Sequence, residues 1–114
     1  MFNACGVFIV ACKRTPFGTN GGVLKNVGSV ELGQIAARAA IESISGQPFS
    51  VKNIDSVIVG NVIQHSQSNG IFASRHIGLG IGVPIEVPCL NVNRLCGSGF
   101  QAVIDASHVY IIMR

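Results

Sequence analysis

The stretch that decides the fold is residues 88–101, Pro-Cys-Leu-Asn-Val-Asn-Arg-Leu-Cys-Gly-Ser-Gly-Phe-Gln. Residues 88–92 predict a short strand, and residues 97–113 predict a helix because apolar side chains recur on one of its faces. Cys96 therefore falls where a strand has ended and a helix is about to begin. In open α/β sheets, active sites lie at the carboxyl ends of strands.

The same order of strand and helix occurs twice before this stretch. A continuous apolar run at residues 7–12 predicts a strand buried on both faces, and residues 29–45 predict an amphipathic helix with Ser29 as N-cap. Residues 56–63 predict a second buried strand, and residues 70–79 predict a short helix. Strands that alternate with helices favour right-handed βαβ units and a parallel sheet, so the expected fold class is α/β with the order βαβαβα.

The composition shows a shortage of polar surface. Only 11% of the 114 residues are charged, less than half of the roughly 25% in an average soluble domain. At 48% hydrophobic residues the chain is not expected to be disordered. A sheet of three strands also leaves two edges without partners. We therefore expect a partial domain whose remaining surface is covered by protein outside these 114 residues.

Charge and hydropathy exclude two classes of partner. The net charge is +3, but the eight Lys and Arg residues are scattered, and a nucleic-acid groove needs a basic cluster with stacking aromatic residues. Nucleic acid is therefore not an expected partner. The longest charge-free stretch, residues 56–74, is interrupted by polar side chains, so it lacks the run of about 20 apolar residues that a membrane span requires.

The four cysteines predict neither a metal site nor a disulfide framework. Cys5 and Cys12, like Cys89 and Cys96, are separated by six residues, whereas structural zinc sites prefer about two to four. The first residues run directly into the apolar segment and leave no room for a secretory signal. Free thiols are therefore expected.

Cys96 is the candidate catalytic residue. At a helix N-terminus, unpaired N–H groups and the helix dipole stabilise a thiolate, and the same N–H groups can hold a developing oxyanion. The small residues 97–99 that follow it leave the sulfur accessible. The alternative role for a cysteine is a small buried hydrophobe, which is our prediction for Cys5, Cys12 and Cys89.

A nucleophilic thiol needs a base, and three histidines are available. His108 lies twelve residues beyond Cys96 on the same predicted helix, about 18 Å along its axis, and cannot reach the thiol. His76 is expected to face solvent or cap a helix. His65 follows the second predicted strand and is kept as a candidate contact, but a base outside this chain is the favoured interpretation.

Residues 91–102 strongly resemble the acyl-enzyme cysteine motif of thiolases. Residues 10–18 resemble the opening strand and loop of that family, and residues 59–64 and 73–79 resemble its second strand and the helix after it. The resemblance covers nearly the whole chain in the family's order. It implies that residues 1–114 form part of a thiolase N-terminal domain, a βαβαβα unit of an αβαβα layered sandwich.

The resemblance also implies a reaction. Cys96 corresponds to the nucleophile that attacks the 3-keto carbonyl of a 3-ketoacyl-CoA, releases acetyl-CoA and carries the acyl group until a second coenzyme A accepts it. Coenzyme A is then a co-substrate, and no permanently bound cofactor is expected. The chain looks most like thiolases of mitochondrial fatty-acid oxidation. This implies the mitochondrial matrix, or alternatively the cytoplasm, and a full-length homo-oligomer, either a dimer or a tetramer.

The departure from the family is length. Thiolases are several times longer, and their activating histidine, second acid/base cysteine and most of their CoA-binding loop correspond to positions beyond Arg114. Little or no turnover is therefore expected from the 114 residues alone. Two alternatives stay open: a condensing enzyme of the ketoacyl-synthase type, and an inactive thiolase fragment that only associates with thiolase-like subunits.

Overall fold

The computed structural model describes residues 6–44, 46 and 48–112. In this part of the chain, single-turn 3-10 helices cover Val51–Asn53, Gln64–Ser66 and Gly70–Phe72. The helices and strands are, in chain order, α1 (Ser29–Ser43), β1 (Val57–Gly60), α2 (Ala73–Gly80), β2 (Cys89–Val92) and α3 (Ser98–Ile112). The predicted α/β class and the crossover between parallel strands are confirmed.

The two strands form a parallel pair. Its register runs from Val57 opposite Cys89 to Gly60 opposite Val92. At the end of the ladder, the amide of Asn61 donates to the carbonyl of Val92 at 3.0 Å. Both strands therefore end at the same edge, and the turn that carries Cys96 follows directly from it.

Helices α2 and α3 cover opposite faces of this pair. A Cβ atom on Gly78 of α2 would lie 3.2 Å from Val57 Cγ2 and 3.7 Å from Cys89 Sγ, whereas a Cβ on Gly60 would meet the backbone of α3. Because side chains alternate along a strand, Val57 and Gly60 point to different faces. Helix α1 packs on α2, where Gln34 Nε2 donates to the carbonyl of His76 at 2.9 Å.

Helix α1 begins as predicted, but its cap differs from the expectation. Gly28, not Ser29, is the N-cap residue, and it makes no side-chain cap hydrogen bond. The amide of Ser29 instead donates to Gln67 Oε1 at 2.8 Å. The helix ends at Ser43, and Gly46 follows with a φ of +104°. The predicted N-cap was wrong because a distant glutamine supplies the acceptor.

The predicted strand at residues 7–12 is wrong in the structure. These residues form no regular element, and Phe8, Ile9 and Val10 are 79%, 77% and 72% exposed. The segment lies along α3, with a cavity of about 450 Å³ between them. An apolar run becomes a strand only when a neighbouring strand accepts and donates its ladder hydrogen bonds, and among the described residues β1 bonds to β2 alone.

Two other predicted elements are shorter than expected. The strand predicted over residues 56–63 ends at Gly60, because Asn61 turns away and its Nδ2 donates to the carbonyl of Gly70 at 3.0 Å. The helix predicted over residues 70–79 starts with a 3-10 turn and becomes α-helical at Ala73. Helix α3 agrees with its prediction to within one residue at each end.

The buried apolar core is small. Among the described residues it consists of Ala73, Ile77, Val83 and Val87. Large apolar side chains remain exposed on α3, and Phe100 is 79% exposed. The radius of gyration is 15.1 Å, above the roughly 13 Å of a compact domain of this length. In the part of the chain that the structure describes, no helix is both long and apolar enough to cross a membrane.

Candidate active site

Cys96 lies on a tight turn between β2 and α3. Leu95, just before it, has a φ of +49°. Within the described ranges, every other residue with a positive φ is a glycine. This left-handed conformation costs an L-residue about 1–2 kcal/mol. The amide of Gly97 donates to the carbonyl of Arg94 at 3.0 Å, and that of Ser98 donates to the carbonyl of Leu95 at 3.1 Å. Backbone hydrogen bonds thus close the turn around the cysteine.

Two polar side chains hold the turn in place. Ser98 is 5% exposed; its Oγ accepts from the amide of Arg94 at 2.9 Å and donates to the carbonyl of Leu95 at 2.6 Å. Asn93 Oδ1 accepts from the amide of Leu95 at 3.0 Å, and its Nδ2 donates to the carbonyl of Val62 at 3.2 Å. The amide and the carbonyl of Leu95 therefore each bond to a side chain.

The end of β1 lies directly against the first turn of α3. A Cβ atom on Gly60 would be 2.6 Å from the carbonyl carbon and oxygen of Ser98 and 2.9 Å from the nitrogen of Gly99. Real Cβ atoms do not approach other atoms this closely, so glycine at residue 60 permits the contact. The sheet thereby fixes where the helix, and with it the Cys96 turn, begins.

Unpaired hydrogen-bond donors lie close to Cys96 along the chain. The side chain of Cys96 is exposed. The first amides of a helix have no partner within the helix and carry part of its positive dipole. Three neighbouring amides donate to no acceptor within the described residues: those of Cys96, Gly99 and Phe100. Cys96 is thus an exposed cysteine close in the chain to unpaired donors, and its role as a nucleophile stays a prediction.

A polar chain runs along the outside of the same turn. Arg94 Nη1 donates to Gln101 Oε1 at 3.0 Å, and Gln101 Nε2 donates to Asp105 Oδ1 at 2.7 Å. Sequence reasoning missed this chain, although residues 101 and 105 have the spacing of neighbours on a helix. It holds the guanidinium against α3, the helix that follows the Cys96 turn.

Sequence reasoning also missed the roles of Asn93 and Ser98. Asparagine two residues before a turn amide is a recognisable signal, because its side chain bonds to that amide. Serine at the start of a helix normally bonds to the helix's own amides. The bonds that Ser98 makes back to Arg94 and Leu95 depend on the shape of the turn, so residue type alone does not predict them.

The structure does not bring a histidine into contact with the thiol. His65 is exposed on the 3-10 helix Gln64–Ser66, and no hydrogen bond joins it to Cys96 among the residues described. His76 lies on α2, and His108 is exposed on the second half of α3. A base supplied from outside this chain stays a prediction.

The other cysteines differ in their surroundings. Cys12 is exposed, so the prediction of a buried residue is wrong, because the segment that contains it is not a sheet strand. Cys89 is half-buried on β2, and its Sγ lies 3.6 Å from the carbonyl oxygen of Val87. Cys5 lies outside the described residues. Over the described ranges, no three His, Cys, Asp or Glu side chains are grouped to hold a metal ion.

Comparison with known protein families identifies the class of this chain. The family described as "Thiolase, N-terminal domain" matches residues 7–112. The match spans β1, β2, all three helices and the Cys96 turn. The chain therefore belongs to the thiolase family.

Several characterised relatives are similar over most of the chain. The human mitochondrial 3-ketoacyl-CoA thiolase is 51% identical over 100 residues, which is 88% of this chain and 24% of the relative. The mouse protein of the same name is 54% identical over the same shares. The beta-ketothiolase BktB of Cupriavidus necator is 38% identical over 106 residues, which is 93% of this chain and 26% of the relative.

A solved structure extends the comparison to the fold. The crystal structure of human mitochondrial 3-ketoacyl-CoA thiolase in complex with CoA superposes with a TM-score of 0.85 and 45% identity, covering 93% of this chain and 26% of that one. The likeness confirms the fold class predicted from the sequence. The chain spans about a quarter of the length of the relatives it matches.

Proposed function

We propose that this chain is the nucleophile-bearing part of a thiolase-type acyl-CoA C-acyltransferase. The reaction is thiolytic cleavage of a 3-ketoacyl-CoA to acetyl-CoA and a shortened acyl-CoA, as in fatty-acid β-oxidation. The observation that carries the proposal is the exposed Cys96 thiol on a left-handed turn beside three unpaired amides. Membership of the thiolase family supports the same role for the turn.

In the proposed first half-reaction, the Cys96 thiolate attacks the C3 carbonyl carbon of the 3-ketoacyl-CoA. The carbonyl oxygen becomes an oxyanion, and the amide of Cys96, with those of Gly99 and Phe100 nearby, supplies donors to stabilise it. When the carbonyl re-forms, the C2–C3 bond breaks and its electron pair stays on C2 of the departing acetyl-CoA. A proton donor outside the described residues then protonates that carbon.

The second half-reaction transfers the acyl group. The thiol of a second coenzyme A loses its proton to a base and attacks the acyl thioester on Cys96. Collapse of the tetrahedral intermediate releases acyl-CoA and returns the Cys96 thiolate, so one hard carbon–carbon cleavage becomes two easier steps. Coenzyme A is the proposed co-substrate, a choice supported by the CoA complex of the human relative.

The setting of the reaction is also proposed from the relatives. Several similar proteins are named as mitochondrial, so the mitochondrial matrix is the proposed location. We propose that residues 1–114 are part of the N-terminal domain of a homo-oligomer. The apolar side chains exposed on α3, including Phe100 and Ile112 at 79% and 81%, support burial by further protein.

The same exposed side chains favour one second candidate function. In this second function the chain binds thiolase-like subunits through its apolar surface without catalysing the reaction. Membership of the thiolase family favours both of these functions over a condensing enzyme of the ketoacyl-synthase type.

Acyl trapping separates the two functions. The purified chain is incubated with acetoacetyl-CoA, and the products are digested with trypsin. Cleavage after Arg94 places Cys96 on peptide 95–114 and Cys89 on peptide 76–94. We expect an acetyl adduct on peptide 95–114, absent in the Cys96→Ser variant and absent from Cys89, with no sustained thiolysis by the chain alone.

Each other result has a definite meaning. An adduct that persists in Cys96→Ser, or that labels Cys89 equally, contradicts the proposed nucleophile. No adduct, combined with tight association to a full-length thiolase subunit, supports the binding function instead. Sustained thiolysis would contradict the expectation that these 114 residues do not turn over.

A further inference from the structure

We propose that Ser98 is a positioning residue for Cys96, which it orients by holding Leu95 in the left-handed conformation. The inference rests on the proposed function in treating Cys96 as the reactive thiol. The two residues act through the turn between them, since Ser98 Oγ bonds to the backbone of Arg94 and Leu95.

The Ser98 hydroxyl makes its two hydrogen bonds to the backbone of the turn. A serine that caps a helix normally accepts from amides in that helix's first turn. Ser98 is instead the first residue of α3, and its Oγ points back to residues 94 and 95. Ser98 Oγ accepts a hydrogen bond from the amide of Arg94 and donates its proton to the carbonyl of Leu95. Among buried side chains of this size, only a hydroxyl can accept and donate at one atom.

The backbone of Ser98 is anchored independently of its side chain. Gly60 at the end of β1 allows the two backbones to touch, which fixes the start of α3 on the sheet. With its backbone fixed and its side chain 5% exposed, the hydroxyl has one location available. Ser98 therefore connects the sheet, through its backbone, to the turn that contains Cys96, through its side chain.

Removing the hydroxyl has a local consequence. The amide of Arg94 loses its partner, and the carbonyl of Leu95 keeps only the amide of Ser98 as a donor, so Leu95 is held less firmly in its costly conformation. Cys96 follows Leu95 and turns away from the unpaired amides at the start of α3. Helix α3 itself keeps its internal hydrogen bonds, because none of them uses Ser98 Oγ.

The test measures the rate at which iodoacetamide alkylates Cys96. Tryptic peptides 95–114 and 76–94 report Cys96 and Cys89 in the same sample, so Cys89 is an internal reference. The variants are Ser98→Ala and the isosteric pair Ser98→Thr and Ser98→Val, which differ only in the hydroxyl. Ser107→Ala is the matched control, since Ser107 Oγ also donates to a carbonyl three residues earlier in α3, that of Ile104 at 2.7 Å.

We expect Ser98→Ala and Ser98→Val to slow alkylation of Cys96 about tenfold, the size expected when a buried hydrogen-bond partner is lost. Ser98→Thr should keep most of the original rate, and Ser107→Ala should keep all of it. Cys89 should react equally in every variant, and far-UV circular dichroism should show unchanged helix content.

Three results would overturn the proposal. The first is an unchanged rate of Cys96 alkylation in Ser98→Ala. The second is an equal rate of Cys96 alkylation in Ser98→Thr and Ser98→Val. The third is loss of helix content in both the Ala and Val variants, which would assign Ser98 to stability alone. Alkylation needs no acyl-CoA, so a failure of acyl transfer to Cys96 would overturn the proposed function and leave this inference standing.

Discussion

The turn at residues 93–98 and the apolar segment at residues 7–12 show opposite relations between sequence and structure. In the turn, the hydrogen-bond partners of the Leu95 and Arg94 backbone lie within four residues along the chain. The apolar segment forms no ladder, and its side chains at residues 8–10 are more than two-thirds exposed. A structure closed by local hydrogen bonds forms from its own residues, whereas a strand needs a partner from elsewhere.

The free edge of β1 shows what the apolar segment lacks. An open groove of about 1010 Å³ runs along this edge between α1 and α3, with Val57, Ile58 and Val59 at its base. A third parallel strand would have to pair at one edge of the sheet. In the structure the segment at residues 7–12 lies against α3 instead, and the edge of β1 opposite β2 carries no strand among the described residues.

The largest effect is expected when the contact between Gly60 and Ser98, which anchors the turn on the sheet, is disrupted. Gly60→Ala places a methyl group 2.6 Å from the backbone of Ser98, so we expect the free energy of local opening at the start of α3 to fall by about 3 kcal/mol. Amide hydrogen exchange of Ser98 and of residues 101–104, whose amides are hydrogen-bonded, measures it. Gly99→Ala is the control, because a Cβ there meets nothing within 4 Å. Equal effects of the two variants would contradict the anchor.

An intermediate effect concerns the left-handed residue. Leu95 has a φ of +49° and is 70% exposed, so Leu95→Gly relieves strain and loses little packing. We expect the opening free energy of the turn to rise by about 1 kcal/mol, and Leu95→Val to lower it by a similar amount because a branched side chain fits this conformation poorly. Hydrogen exchange of the Gly97 and Ser98 amides, which close the turn, distinguishes the two variants. Greater protection from exchange in Leu95→Val than in Leu95→Gly would show that the backbone of Leu95 is not strained.

The smallest effect is expected in the apolar segment. Ile9 is 77% exposed, so Ile9→Thr should change the free energy of unfolding by less than about 0.5 kcal/mol. The same substitution at Ile77, which is 8% exposed in α2, should cost about 3 kcal/mol. Urea denaturation followed by circular dichroism compares the two. A loss at Ile9 as large as that at Ile77 would place the segment in a packed strand.

The two elements that flank Cys96 were predicted closely. Helix α3 and strand β2 lie within one residue of their predicted bounds, since their signals are periodicity and local turn residues. The position of Cys96 between them followed from the same signals. The strand predicted over residues 56–63 was too long, because the contact between Asn61 and Gly70 that ends it joins residues nine positions apart.

The sequence by itself determined the α/β class, the resemblance to thiolases and the place of Cys96 at the start of a helix, because each depends on residues close together in the chain. Only the tertiary structure decided that Gly60 contacts Ser98 and that Gln67 accepts from the first turn of α1. It also decided that residues 7–12 pair with no strand in the part of the chain that the structure describes. These contacts join residues up to 38 positions apart. Packing geometry, which no local pattern encodes, selects the partner in both contacts.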